Sequence, residues 1–369
     1  ATGMFPGATG EGTVVDSLAA GEQRVVADTI AWLRSTKGLA IPPGPGQAGT
    51  LRLVFTGLSQ PETASARVRT TGASCSGVAG LSYPAWTAAA TSPESLRLFG
   101  LRSGEAERTN LAVVNTGTEG KVTLKVVLRS GDGERSWEVP ADVLPPLAPG
   151  EWRQVNDGDL LKAAGFADGT ALVTRVDGTA PFGAYAVFND NLSNDGSYVP
   201  AVPDGYGSGR LVLPVVVETG AFESEVVLFN PAEVPVRASL TYVESSASPK
   251  GTVGTASVDL APGQQKILPR FLEQLRTLGL AVGPRGAATY AGPLSIAFDS
   301  LSGAPVPGLA GAKTAAAGPR ECEGKGEFGL FYTAAPESAG AVVEAFVDGL
   351  QQTSTTRSNL ALYNPSASD

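Results

Sequence analysis

The chain has 369 residues, a formal charge of -9 and no histidine. An acidic balance argues against nucleic acid or an anionic membrane surface as partners, since both would repel it. Without imidazole the common histidine-based triads and histidine-ligated metal sites are excluded, so an enzyme is not expected.

With 46 Gly and 27 Pro spread without a fixed period and 42% apolar residues, the composition fits many short strands joined by turns rather than collagen or disorder. The longest apolar runs, such as LVLPVVV (Leu211–Val217), are too short to cross a bilayer. The N-terminal ATGMFPGATG lacks the regions of a signal peptide, so any export signal is expected to have been removed.

In chain order, the first feature is LAAGEQRVV (Leu18–Val26), followed by a short helical pattern over Ala27–Gly38 and a period-two segment, GTLRLVF (Gly49–Phe55), that reads as a strand. LRLFGL (Leu96–Leu101), RTNLAVVNTG (Arg108–Gly117) and KVTLKVVL (Lys121–Leu128) read as strands. LAPGEWRQV (Leu147–Val155), a helix over Asp157–Gly165 and the strand TALVTRV (Thr170–Val176) come next. The series then recurs as RLVLPVVV (Arg210–Val217), ESEVVLFNPA (Glu223–Ala232), RASLTYV (Arg237–Val243), LAPGQQKIL (Leu260–Leu268) and a helix over Pro269–Gly279. It restarts once more as AVVEAFV (Ala341–Val347) and RSNLALYNPS (Arg357–Ser366).

These recurrences, 129 and then 113 residues apart at the LAxGE/Q segment, are copies of one unit of seven or eight short strands. The expected fold is all-β, with tandem Ig-like β-sandwich domains each carrying one short inserted helix. Complete copies fall at about 94–208 and 209–338. Residues 1–93 hold the later strands and the helix but lack the first two strands, and 339–369 hold those two strands alone. Joining the ends leaves 23 residues from Asn364 to Leu18, against 32 from Asn115 to Leu147 and 30 from Asn230 to Leu260, so the break falls in a strand-to-strand connection.

A sandwich lacking two strands exposes a sheet edge and an uncovered core. The C-terminal strands are expected to fill that gap in the next copy, with Val342, Val343, Phe346, Leu360, Leu362 and Tyr363 as donor contacts. Asn115, Asn230 and Asn364, the last followed by Pro365, are expected to turn the chain where the second strand ends. A head-to-tail contact of this kind does not close and builds a filament. The competing expectation is that 1–369 is a window on a longer tandem array, an adhesin or carbohydrate-binding protein.

Carried by the NLAVVN and LAPGEW segments, the architecture resembles that of secreted bacterial surface proteins built of tandem Ig-like sandwiches. The assembly principle resembles donor-strand complementation in pili, where an extended segment adds to the sheet edge of a neighbouring subunit. The resemblance implies a structural subunit, extracellular or at the cell surface, whose partner is itself.

Among the remaining features, Asp190, Asn191, Asn194 and Asp195 crowd a turn-rich loop of the oxygen-donor kind calcium prefers, though without its closing Glu. Plain Asx turns are the other reading of that loop, and no other cofactor is indicated. Cys75 and Cys322 occupy the same loop in two copies, which leaves a bridge between domains or subunits, or two unpaired thiols. Trp32, Trp86, Trp137 and Trp152 stand at unrelated positions of the unit; packing and a glycan platform both remain open for them.

Overall fold

The computed structural model describes residues 13–44, 46–58, 64–74, 77–87, 90–91, 94–246, 251–317, 326–340, 347, 350–352, 358, 360 and 362–364. It is all-β in organisation, with antiparallel sheets and, among the described residues, three short α-helices. The chain divides into two compact units, one of Ala1–Ala66 with Ala341–Leu360 and one of Arg67–Gly340 with Ala361–Asp369. No helix among the described residues is long and apolar enough to cross a membrane.

In the first unit the helical pattern forms α1 (Thr29–Ala31), which continues as a π-helical turn over Trp32–Thr36. Asp28 caps it, its Oδ1 accepting from the Ala31 N–H at 3.1 Å, and Leu33 is buried. Residues 46–58 correct the expected strand: GTLRLVF has the alternation of a strand but takes no regular structure, and Leu51, Leu53 and Phe55 are exposed. A strand is held by its ladder, and this segment belongs to none of the sheets formed by the described residues.

The second unit opens with a hairpin, β1 (Arg67–Ser74) and β2 (Gly77–Pro84), in which Arg67 stands opposite Pro84 and Thr71 opposite Gly80. Next comes a sandwich made of β3 (Ser95–Arg102), β4 (Glu107–Asn115), β5 (Val122–Ser130), β6 (Ser136–Glu138), β7 (Trp152–Val155), β8 (Asp168–Gly178), β9 (Phe182–Asp190), β10 (Gly196–Pro200) and β11 (Val202–Pro203), with helix α2 (Leu161–Ala164) between β7 and β8. One sheet runs β11-β3-β8-β5-β6 and the other β10-β9-β4-β7. β5 shows the half-covered alternation, with Val122, Leu124, Val126 and Leu128 buried and Lys125 outside.

A second sandwich repeats this connectivity. Its strands are β12 (Leu211–Glu218), β13 (Phe222–Phe229), β14 (Val236–Glu244), β15 (Gly251–Leu260), β16 (Gln265–Leu268), β17 (Tyr290–Ser300), β18 (Leu309–Ala317), β19 (Glu327–Thr333) and β20 (Ala335–Pro336), with α3 (Phe271–Thr277) after β16. The orders β20-β12-β17-β14-β15 and β19-β18-β13-β16 match the first sandwich strand for strand, joined among the described residues by the pair Glu218 and Glu223. Even the irregularity of the first strand repeats, falling between Leu98 and Leu101 and again between Leu213 and Val216.

The two sandwiches share a buried seam. Phe99 stacks on Phe229 at 6.5 Å between ring centroids, and Phe331 meets Phe99 and Phe188 edge-on at 6.0 and 5.6 Å. Val227, Phe229, Leu309 and Phe331 therefore belong to the same apolar cluster as the core of the first sandwich. β3 is buried on both faces around Phe99 because one face meets its own core and the other meets the neighbour.

Candidate assembly site

The recurring LAxGE/Q segment folds identically wherever it occurs. Ala19, Ala148 and Ala261 each donate a backbone N–H to the side chain three residues on, Glu22 Oε2 at 2.8 Å, Glu151 Oε2 at 2.8 Å and Gln264 Oε1 at 2.9 Å. Their carbonyls accept the N–H of that same residue at 3.0, 3.0 and 3.1 Å. The third position needs φ near +70°, which Gly21, Gly150 and Gly263 supply without the penalty a Cβ would carry. Donation from Ala19, reinforced by Arg24, holds the Glu22 carboxyl below its ordinary range.

In the two complete sandwiches this turn is clasped by a buried asparagine at the end of the second strand. Asn115 Nδ2 donates to Gly120 O at 3.0 Å and Leu147 O at 3.1 Å, and its Oδ1 accepts from Gly117 N at 2.9 Å. Asn230 Nδ2 donates to Val234 O at 2.8 Å, Ala261 O at 2.9 Å and Leu260 O at 3.5 Å, and its Oδ1 accepts from Ala232 N at 2.9 Å. Each amide thus closes the turn after its own strand and ties that strand to the LAxGE/Q turn of the same sandwich.

Around the clasp, Leu111, Val113 and Leu147 in one sandwich and Val226, Leu228 and Leu260 in the other are fully buried. Their counterparts by position are Leu360, Leu362 and Leu18, which are 60%, 89% and 50% exposed. Tyr363 is half-buried and Asn364 exposed. Val342, Val343, Phe346 and Pro365 lie outside the described residues, as do Cys75 and Cys322.

The Asx-rich loop holds the seam between the sandwiches. Asp190 Oδ1 accepts from Leu192 N at 2.9 Å and Ser193 N at 2.6 Å, while its Oδ2 accepts from Glu327 N at 3.1 Å across the seam. Asp195 Oδ2 accepts from Gly329 N at 2.8 Å, and Ser193 Oγ donates to Glu327 O at 2.7 Å. Arg108 reaches Asn191 Oδ1 at 2.8 Å and Asn194 Oδ1 at 2.7 Å, and Asn191 Nδ2 donates to Gly104 O and Glu105 O. The oxygens a cation would use are thus already engaged by N–H donors, one of them a guanidinium. Burial pushes the Asp195 carboxyl upward, and the N–H groups of Gly329 and Gly80 offset this only in part.

Beside it lies an ion network that the sequence reading did not single out. Arg102 donates to Glu225 at 2.5 Å and Glu107 at 3.1 Å, Lys313 pairs with Glu107 and, at 3.0 Å, with Glu327, and both cations sit over the Phe188 ring. Burial opposes the Glu107 charge, but Arg102 and Lys313 outweigh it and hold that carboxyl below its usual range. Gln265 spans the same seam, its Oε1 accepting from Gly100 N at 2.8 Å and its Nε2 donating to Asp168 Oδ1 at 2.9 Å.

Two of the four tryptophans meet one aromatic group. Trp86 Nε1 donates to Tyr198 OH at 3.0 Å and Trp152 Nε1 to Tyr185 OH at 2.9 Å, while Tyr83 packs edge-on to both tyrosines. Burial pushes the Tyr198 hydroxyl up to about 12. These rings meet at their edges and satisfy each other's polar atoms, the geometry of a hairpin docked on a sheet. Trp137 packs against the first sandwich's core, and Trp32 lies under Lys37 at 5.0 Å.

No protein-family model matches the chain, and no curated protein matches it.

Proposed function

We propose that the protein is a structural subunit of an extracellular filament or surface fibre, assembled head-to-tail by donation of its C-terminal strands into the incomplete N-terminal sandwich. The observation that carries this reading is the contrast at the clasp. Leu18, Leu360 and Leu362 are exposed at positions that are fully buried in both complete sandwiches. Burying what remains exposed of these three leucines, about two side chains' worth of surface, contributes about 3–6 kcal/mol before ordering costs.

One further observation supports it. The LAAGE turn already has the geometry of its clasped counterparts, so the acceptor is preorganised.

Size-exclusion chromatography with light scattering and negative-stain electron microscopy on the full chain and its Leu362→Asp variant test the reading. Polymers from the former and dispersed chains from the latter are expected. Dispersed chains in both cases refute it.

A further inference from the structure

We propose that the face of the second sandwich bearing Pro214, Val215, Val217 and Leu330 is an interaction surface for a second copy of the chain, with Leu330 seated at that copy's Gly80. This rests on the strand-donation reading, which brings a second copy to this end of the chain, and adds a seam to its joint.

The first sandwich shows what this face does. The first strands of the two sandwiches align at their shared irregularity, so Phe99, Gly100 and Arg102 of β3 correspond to Pro214, Val215 and Val217 of β12. β10 and β19 align at Gly196 and Gly329, so Ser197 corresponds to Leu330. In the first sandwich all four residues are buried, and each meets the second sandwich. Phe99 stacks on Phe229, Gly100 N donates to Gln265, Arg102 pairs with Glu225, and Ser197 Oγ donates to Gly329 O at 3.3 Å. In the second sandwich Pro214 is exposed, Val215 and Val217 are half-buried, and Leu330 is 59% exposed.

The partner follows from a contact that recurs along the chain. GLSYPAW (80–86), GSYVPAV (196–202) and GLFYTAA (329–335) are equivalent segments, each opened by a glycine. Leu81, next after the first of these glycines, has its Cδ2 2.7 Å from where a Cβ on Gly196 would stand. Ser197, next after the second, bonds to Gly329. The residue after the glycine in one repeat thus meets the glycine of the following repeat. Leu330 is the next member of this series, and in a second copy the glycine that follows is Gly80. Repeating the step between copies gives a head-to-tail contact that does not close.

The chemistry of the face agrees. Arg102 requires the Glu225 carboxylate, but Val217 in its place requires no counter-ion, and all four positions on the second sandwich are apolar. Covering them leaves no charge stranded.

The test compares the full chain with Leu330→Asp, Leu330→Lys and Leu301→Asp. Leu301 follows β17 on the same sandwich and is also 59% exposed. Sedimentation across concentrations reads assembly, and circular-dichroism melts check that each variant folds. Expected are unchanged melts, normal assembly of Leu301→Asp, and a concentration needed for assembly raised about tenfold or more by either charge at 330. Assembly of both 330 variants like that of the unsubstituted chain, or equal impairment by Leu301→Asp, overturns this surface and leaves strand donation standing. Unsubstituted chains that stay dispersed at every concentration overturn both.

Discussion

Removing the clasp amide is the perturbation most directly calculable from the geometry. In Asn230→Ala three close hydrogen bonds disappear, to Val234 O, Ala261 O and Ala232 N, from a side chain with no exposed surface. At about 0.5–1.5 kcal/mol net each, and with water able to reach the exposed turn at Val234, the loss is about 2–4 kcal/mol. For a body of this size that lowers the melting temperature by about 4–16 °C. Asn115→Ala falls at the lower end, because Leu147 O also accepts from Val122 N at 3.0 Å and stays satisfied. If Asn364 performs the same task in a neighbour, Asn364→Ala raises the concentration needed for assembly roughly 30- to 1,000-fold. Circular-dichroism melts and a pelleting assay across concentrations measure the two effects. An Asn230→Ala cost under about 0.5 kcal/mol would refute the clasp.

Other perturbations separate the seam from the joint. Arg102→Ala leaves Glu225 without its cation in a largely buried setting, while Glu107 keeps Lys313, and is expected to cost about 3–5 kcal/mol, with the two sandwiches unfolding in separate transitions on urea denaturation. Because the folded-state pKa of Glu107 lies below its unfolded value, its contribution is complete above the ordinary glutamate range and is lost as pH falls through the lowered value. Asp195, raised by burial, slopes the opposite way, so Glu107→Gln isolates the first effect by flattening the loss of urea-measured stability under acid. Gly183→Ala places a Cβ 2.2 Å from the Trp86 ring and is expected to dislodge the hairpin, seen as a red shift in tryptophan emission; unchanged emission would contradict the packing.

What the amino-acid order disclosed was local. The LAxGE/Q turn is legible because its glycine must take positive φ and its Glu or Gln bonds back three residues, so the same letters recur wherever the same bend is made. β5 and β14 announce themselves by alternation. The seam was not legible, since Arg102 meets Glu225 and Gln265 meets Gly100 across more than a hundred residues, and a side chain's identity does not name its partner. Asp190 and Asp195 read as oxygen donors because they are; the sequence does not tell that backbone N–H groups of Glu327 and Gly329 take those oxygens. Residues 49–55 carry the alternation of a strand, but a strand also needs a neighbour, and that is a property of the fold.

The seam also bears on how such a subunit would carry load. Sandwiches strung on linkers ordinarily meet through modest polar interfaces and move against one another. Here Val227, Phe229, Leu309 and Phe331 of the second sandwich join the apolar cluster of the first, while the second keeps a core of its own, and the Asp190 and Asp195 loop bonds directly to the backbone of β19. Opening this contact would expose aromatic surface and uncover the Arg102 network together, so both costs must be met in one step. Arg67–Gly340 therefore responds to tension as one body. In a fibre of such bodies, compliance and rupture would concentrate at the strand joint, where a ladder pulled along its strands breaks many hydrogen bonds at once. On the strand-donation reading, the strength of the fibre would then rest on Leu360 and Leu362 of one copy and the first sandwich-forming segment of the next.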